Sequence, residues 1–342
     1  MLPLPPLSNE LRFGVELPQH LGWGVLRELA QACEELGFDS LWVRDHLIVD
    51  PHELDQFQQG YLVDGRRVVS GEYLGCIPAL AALAAATSRA SLGTCILNFP
   101  RRHPVDLANE LATVDQISGG RLIAQGATGH PSRDYVPLGL AIPPRVRGRM
   151  MEEQIEIIRA LWSNEEPLDY EGEYYSLRQA RIGSRPVQQL PPIWLGIDRT
   201  YRRVARCADG FTLTGSMFGS DLEHYRASVV RIRKEAIAAG RDPDTIVAAA
   251  RFAIVLDVDR ERAKERAAAE WGALWRRSEA WHTEWAGTPD DIAGRIRPYV
   301  EAGARHIMLW PIPHRDPAST LRDLSLFAAE VAPRLTGTHT GS

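Results

Sequence analysis

The sequence predicts a (β/α)8 TIM barrel, an α/β fold with insertion segments at the C-terminal mouth. Three observations carry this. Eight short runs rich in β-formers alternate with stretches of helical periodicity. Glycines and turn residues punctuate the boundaries between them. The 342 residues suffice for one closed barrel. A doubly wound open sheet is the other arrangement that such alternation allows.

The strands are read in order. Arg12 to Leu17 is the first, and Val25 to Leu36 an amphipathic helix after it. Glu35-Leu36-Gly37-Phe38-Asp39 ends that helix, and the second strand, Leu41-Trp42-Val43, runs out into Arg44-Asp45-His46. An alanine-rich helix over Ala79 to Thr87 precedes the third strand, Ala90 to Leu97. Val105 to Ser118 is helical and Gly119-Gly120 stops it; Leu122 to Gly126 is the fourth strand. A long helix follows from about Arg147 to Ser163, with Met151, Ile155, Ile158, Leu161 and Trp162 on its inner face. Pro192 to Gly196 is strand five, Tyr201 to Ala208 a helix, and Gly210 to Thr214 strand six. Leu222 to Ala239 is helical, and Ala248 to Leu256 is strand seven. Helices over Arg260 to about Trp285 and Asp290 to Ala302 lead to strand eight, His306 to Trp310, and a closing helix, Leu321 to Val331. Parallel pairing is expected because each crossover must cover a face of the sheet.

The expected organisation is an N-terminal extension over 1–11, a single domain over 12–335 and a flexible tail over 336–342. Residues 47–75 and 164–191 are too long for simple connectors, and the second has aromatics at the spacing of a small hairpin. Composition is that of a soluble globular chain, 44% hydrophobic and 24% charged. A net charge of −5 without a basic face argues against nucleic acid. No apolar run is long enough to span a bilayer, and the proline-broken start is no signal peptide. Cys33, Cys76, Cys95 and Cys207 form no C-x-x-C pair and no zinc spacing with histidine, so no metal is expected. Reduced thiols point to a cytoplasmic compartment. Lysine occurs only at Lys234 and Lys264, which makes lysine Schiff-base chemistry improbable.

In a barrel of parallel strands, side chains at strand exits carry the chemistry. Asp45 and His46 leave the second strand there. An imidazole titrates near neutrality and can pass a proton. The residues alone leave open that Asp45 caps the following loop and that His46 is its polar neighbour. Gln125-Gly126-Ala127-Thr128-Gly129-His130 ends the fourth strand with small residues that let backbone approach a flat ligand. His130 is a second imidazole at that exit, or an exposed loop histidine. Trp23, Tyr61, His103, Trp310 and His314 could shape a substrate pocket, and Thr212 and Thr214 lie near the sixth strand's exit.

Together, Gly37 through His46, Ala79 through Arg89 with Leu92-Gly93-Thr94, Arg102-His103-Pro104, Ile117 through Arg121, Glu153 through Trp162, Pro192 through Gly196 and Ala208-Asp209-Gly210 resemble the bacterial luciferase-like monooxygenase superfamily. The resemblance runs from about Arg12 to Leu335. It implies an oxidoreductase holding FMN or the deazaflavin coenzyme F420 at the barrel mouth. An Asp-His pair after the second strand marks deazaflavin members and matches Asp45 and His46. The implied activity is therefore F420-dependent hydride transfer to or from a small organic substrate, with His46, Asp45 and His130 catalytic. FMN in a two-component monooxygenase is the alternative, and a non-catalytic flavin-binding protein the second. The resemblance also implies a non-prolyl cis peptide at Cys95-Ile96. Cofactor contacts are expected from Asp45, Cys95, Ile96, Asn98, Ala127, Thr128, Gly129, Gly196 and Ile197. Where some deazaflavin dehydrogenases have a glutamate, this chain has His130. Many relatives keep two glycines after the fifth strand; here Gly196-Ile197-Asp198-Arg199-Thr200 keeps one. A separate cofactor-reducing enzyme and a homodimer are the partners that the resemblance suggests.

Overall fold

A computed structural model describes residues 10–47, 61–63, 66–68, 74–129, 135–197, 200–213, 221–272, 285–311 and 317–337. Eight parallel strands close on themselves: β1 (Arg12–Glu16), β2 (Ser40–Val43), β3 (Ser91–Thr94), β4 (Leu122–Ala127), β5 (Ile193–Ile197), β6 (Gly210–Leu213), β7 (Val247–Leu256) and β8 (His306–Pro311). Each pairs with the next, and β8 returns to β1 through Arg12↔His306 and Val15↔Leu309. This is the (β/α)8 barrel read from the alternation, and the open sheet is excluded by the β8–β1 pairing.

Helices α1 (Gly22–Glu35), α2 (Cys76–Ala86), α3 (Pro104–Ser118), α4 (Pro144–Ser163), α5 (Tyr201–Cys207), α6 (Leu222–Ala238), α7 (Arg260–Gly272), α8 (Pro289–Glu301) and α9 (Pro317–Leu326) fill the connections. Their ends follow local chemistry. At α3, His103 caps the first turn, accepting from the Val105 N–H at 3.3 Å, and Pro104 occupies a position whose N–H would have no partner. Gly119 closes it at φ 68°, the left-handed cap that a glycine adopts without strain. At α8, Thr288 and Asp291 form a reciprocal capping box. The helix expected over Arg260 to Trp285 is present as far as Gly272, and 273–284 lie outside the described residues. Among the described residues, no helix is long and apolar enough to cross a membrane.

The insertion after α4 folds into the hairpin expected from its aromatics, Leu168–Glu171 against Ser176–Ala180. Glu153 on α4 holds its turn by accepting the N–H groups of Glu173 and Tyr174 at 2.8 and 3.0 Å. In the insertion after β2, Tyr61–Val63 pairs antiparallel with Arg66–Val68.

Strand pairing in register puts alternate residues on the inner face. Gly14, Ser40, Met308 and Arg251 share that face, as do Trp42, Gly93, Ile123, Gln125, Trp194, Thr212 and Ala249. Trp42, Cys95, Trp194, Val247, Ala249 and Met308 form the packed interior. A Cβ on Gly93 would overlap the Trp42 ring, so the indole occupies the space that the glycine leaves.

His306 is sealed in this plug. Its Nε2 lies 2.8 Å from Ser40 Oγ, which accepts from the Trp42 indole N–H at 2.7 Å. Burial, aided by the Arg12 charge, pushes its pKa down to about 3. The folded-state value is therefore below the unfolded one. Below about pH 6.5 the unfolded chain binds a proton that the folded chain refuses, so stability falls with pH from there down toward 3. We expect urea unfolding to show a loss of roughly 1 kcal/mol per pH unit in that window from this group. In His306→Gln, which keeps a polar contact but does not titrate, the slope between pH 7 and 5 should be shallower; an equal slope removes His306 as its source.

Candidate active site

The strand exits converge on one end, and their last inward positions divide the mouth into two arcs. On β3, β4 and β5 these positions are Cys95, Ala127 and Gly196, all small. The other arc carries inward Glu16, Arg44, Arg251 and Trp310, all large and, except for the indole, charged; on β7 the small Ala253 follows Arg251 at the level of Trp310.

Asp45 follows β2 and is buried, its side chain 3% exposed. Arg101 donates to one oxygen at 2.7 Å, Arg102 to both at 2.7 and 2.8 Å, and the Asn98 N–H to Oδ2 at 2.9 Å. Burial alone would raise its pKa; the Arg102 and Arg101 guanidiniums and the Asn98 N–H outweigh that and hold the carboxyl below the usual range. Its lone pairs are thus committed to protein donors, and the carboxylate acts as a clamp between the β2 and β3 exits. Other side chains set the clamp. The Gln19 amide donates to the Arg44 and Leu74 carbonyls, both at 3.0 Å, and accepts from the Arg44 N–H. The Gln154 amide donates to the Phe99 and Arg102 carbonyls at 3.1 and 2.8 Å. His46, half-buried, follows directly on Asp45.

The chain leaves β3 at Thr94, and the peptide Cys95–Ile96 is cis, as the resemblance implied. Leu97 and Asn98 then pair with Gly126 and Ala127 of β4. Tyr135 Oη lies 2.8 Å from Asn98 Oδ1 and 2.7 Å from the Thr128 carbonyl oxygen. A phenol has one proton, so it donates to one of these at a time. Asn98 Nδ2 is buried with no partner among the described residues. The Cys95 thiol contacts Glu16 at 3.6 Å, and burial and that carboxylate push its pKa up to about 12. It is a neutral, packed thiol.

Of the residues singled out from the sequence, Asp45, Cys95, Ile96, Asn98, Ala127 and Thr128 come together around the exits of β2, β3 and β4. Gly129 continues β4 at φ 69°, and Gly196 and Ile197 lie on β5, which pairs with β4. His130, Asp198, Arg199, Thr214 and His314 lie outside the described residues, as does the side chain of Tyr61. His103 caps α3 and Thr212 is bonded to Gln125 inside the barrel. Trp23 is 36% exposed on the first turn of α1.

Of the other arc, sequence reading named Trp310 and missed Glu16, Arg44 and Arg251. Glu16 is fully buried and paired with both Arg44 and Arg251. The two guanidinium carbons lie 4.4 and 4.8 Å from the centre of the Trp310 ring, in cation–π contact. Burial would raise the Glu16 pKa, but the Arg251 and Arg44 charges hold it down, so it is a carboxylate. The available signal was period two: a charge at an inward position beside apolar neighbours, in Phe13-Gly14-Val15-Glu16 and in Ala250-Arg251-Phe252-Ala253.

Among proteins of known name, an F420-dependent glucose-6-phosphate dehydrogenase from Nakamurella multipartita is 30% identical, with 95% of this chain and 96% of that one aligned. Two solved structures share the fold. The coenzyme F420-dependent tetrahydromethanopterin reductase of Methanopyrus kandleri superposes with a TM-score of 0.75 at 21% identity over 95% of this chain and 99% of its own. A monooxygenase from Streptomyces bottropensis gives 0.77 at 22% identity over 94% and 99%. Residues 11–306 match the family described as luciferase-like monooxygenase, and this chain belongs to it.

Proposed function

We propose that this protein is an F420-dependent oxidoreductase that moves a hydride between the deazaflavin and a small organic substrate. The observation that carries the reading is the junction of Asp45-His46 with the cis Cys95–Ile96 turn at one barrel mouth, in a chain whose curated relatives are named as F420-dependent dehydrogenases. The residues present fit a flat ring. Small inward groups at Cys95, Ala127 and Gly196 leave the backbone of three adjacent exits open to it, and the buried Asn98 Nδ2 offers a donor without a partner among the described residues.

When bound, the deazaflavin supplies or accepts the hydride. The chain supplies the rest. Cys95, Ile96, Asn98, Ala127, Thr128, Gly129, Gly196 and Ile197 would contact it. The His46 imidazole gives or takes the proton that accompanies the hydride. Asp45 positions the backbone carrying His46 through Arg101, Arg102 and Asn98. The packed interior of Trp42, Trp194 and Met308 keeps water from the floor of the site. His130 remains a proposed second acid at the β4 exit. Residues 12–335 act as one barrel unit, with a homodimer, a cytoplasmic location and a separate enzyme recycling the cofactor as parts of the same proposal.

Titration of the protein with oxidised F420 and oxidised FMN, read by ring fluorescence, tests this. Micromolar binding of F420 with much weaker FMN binding is expected. The reverse order turns the reading to a two-component FMN monooxygenase, and binding of neither ends it. Glucose 6-phosphate, the substrate in the relatives' names, is the first compound to assay.

A further inference from the structure

The ring of helices outside the barrel is uneven around β5. α4 runs for 20 residues and α6 for 17, but α5 between them has 7. Rise per residue is the same in all three, so the short helix covers less than half the height of its neighbours. The groove left there encloses about 320 Å3, at the lower end of the roughly 300–1,000 Å3 of small-ligand sites. Arg202, Arg203 and Arg206 of α5 and Arg231 of α6 line it, with Glu152 of α4 and Glu235 of α6. Each glutamate bridges two arginines. Glu152 meets Arg203 Nε at 2.6 Å and Arg206 Nη1 at 3.6 Å. Glu235 meets Arg202 Nε at 3.2 Å and Arg231 Nη2 at 2.8 Å. Four guanidiniums are thus gathered around two carboxylates, an excess of two positive charges on a chain whose net charge is −5.

The donors are not used up. In Arg202 and Arg203 the bond to the glutamate takes Nε alone, so the Nη pair of each fork has no acceptor among the described residues. α4 also makes room for one fork: a Cβ on Gly148 would overlap the Arg203 guanidinium. A glycine inside a helix weakens it, so α4 carries a local cost at the place where that fork lies. Bracing the helices would need one arginine per glutamate, and the groove has two.

We propose that this groove binds the phosphoryl group of a small phosphate monoester, at a site on the outer wall separate from the barrel mouth. Charge selects the class. A monoester carries roughly −1.5 to −2 near pH 7 and meets the excess of two, whereas a carboxylate meets half of it. Guanidinium forks present paired donors that suit phosphate oxygens. Arg203 lies deep, its side chain 16% exposed, and Arg202 and Arg206 form the rim, at 80 and 65%.

The test is calorimetric titration of the full-length, unloaded chain with phenyl phosphate and, as a singly charged comparator, benzoate, at matched ionic strength and pH 7.5. Phenyl phosphate should bind at least tenfold more tightly. Its affinity should fall severalfold at pH 5.5, as the monoester gives up its second charge. Arg202→Gln combined with Arg206→Gln removes the excess charge at two exposed rim positions and should weaken phenyl phosphate tenfold or more with the melting midpoint unchanged. Replacing the same two residues with lysine keeps the charge without the forks and should weaken it severalfold. Benzoate binding as tightly as phenyl phosphate overturns the proposal. So does a glutamine double variant with a lower melting midpoint and the original phenyl phosphate affinity, the result for a network that only braces the helices. The titration is then repeated with saturating F420, and the phenyl phosphate affinity should stay within twofold. Competition between the two would give the groove to the cofactor and end its standing as a separate site. If F420 does not bind, the oxidoreductase reading falls, and the titration of the unloaded chain still decides the groove.

Discussion

Replacing His46 with alanine is expected to slow turnover by about a hundredfold or more while F420 still binds within a few-fold of its original affinity. The expectation follows from where the imidazole sits. It is the first residue after a carboxylate held by two arginines and a backbone N–H, so its backbone has little freedom. It is half-buried at the exit of β2, and the clamp is built on the Asp45 carboxylate, so its removal should leave the fold intact. The pH profile of kcat should also lose its limb near neutrality, because an imidazole titrates there and alanine does not. A variant with the original kcat and the original profile would take the proton away from His46 and leave the residue as a neighbour of the site.

Asp45→Ala should be costly for a different reason. It removes the acceptor for both Arg102 amino groups and for the Asn98 N–H, and it leaves guanidinium charge in a site from which water is excluded. Breaking one partner out of a buried ion pair costs about 3–5 kcal/mol, to be read as a fall in the urea unfolding free energy at pH 7. Asp45→Asn keeps the shape and one acceptor and should cost less. The pH sign also follows. The folded-state pKa is below the ordinary one, so the contribution is whole above about pH 4 and is lost as pH falls through the folded value. If Asp45→Ala unfolds as the parent does, the clamp is not what joins the β2 and β3 exits. The two variants separate the roles: His46 governs rate at constant stability, Asp45 governs stability and, through it, the geometry that His46 needs.

The fold was legible because its signals are local. Every barrel strand coincides with an apolar run between turn residues, and α3 ends at the glycine that the pattern marked. The grouping of Asp45, Cys95 and Ala127 followed from the rule that parallel strands exit on one side. What could not be read was who bonds whom. Arg101 and Arg102 lie more than fifty positions from Asp45, and Glu16 meets Arg251 only because β8 closes the barrel between them. Ion pairs of that kind depend on register and closure, which hydrophobic periodicity does not specify. Asp45 shows the difference: its place at the strand exit was visible from the pattern, whereas the committed state of its oxygens was not. Gln19 and Gln154, which hold the surrounding carbonyls, carry no pattern at all, since an amide bonding backbone can come from any neighbouring segment.

The pairing of the first strand with the last also fixes a timetable. Glu16 emerges from the ribosome among the earliest residues, and Trp310, whose ring carries its two arginine partners, among the latest. At roughly 5–20 residues per second, translation of the chain takes about 20–70 s. For most of that time the glutamate can only remain hydrated, because the wall against which its partners lie has not been made. Chains cut short before β8 therefore carry Glu16, Arg44 and Arg251 without the Trp310 ring and the closing strand that bring them together.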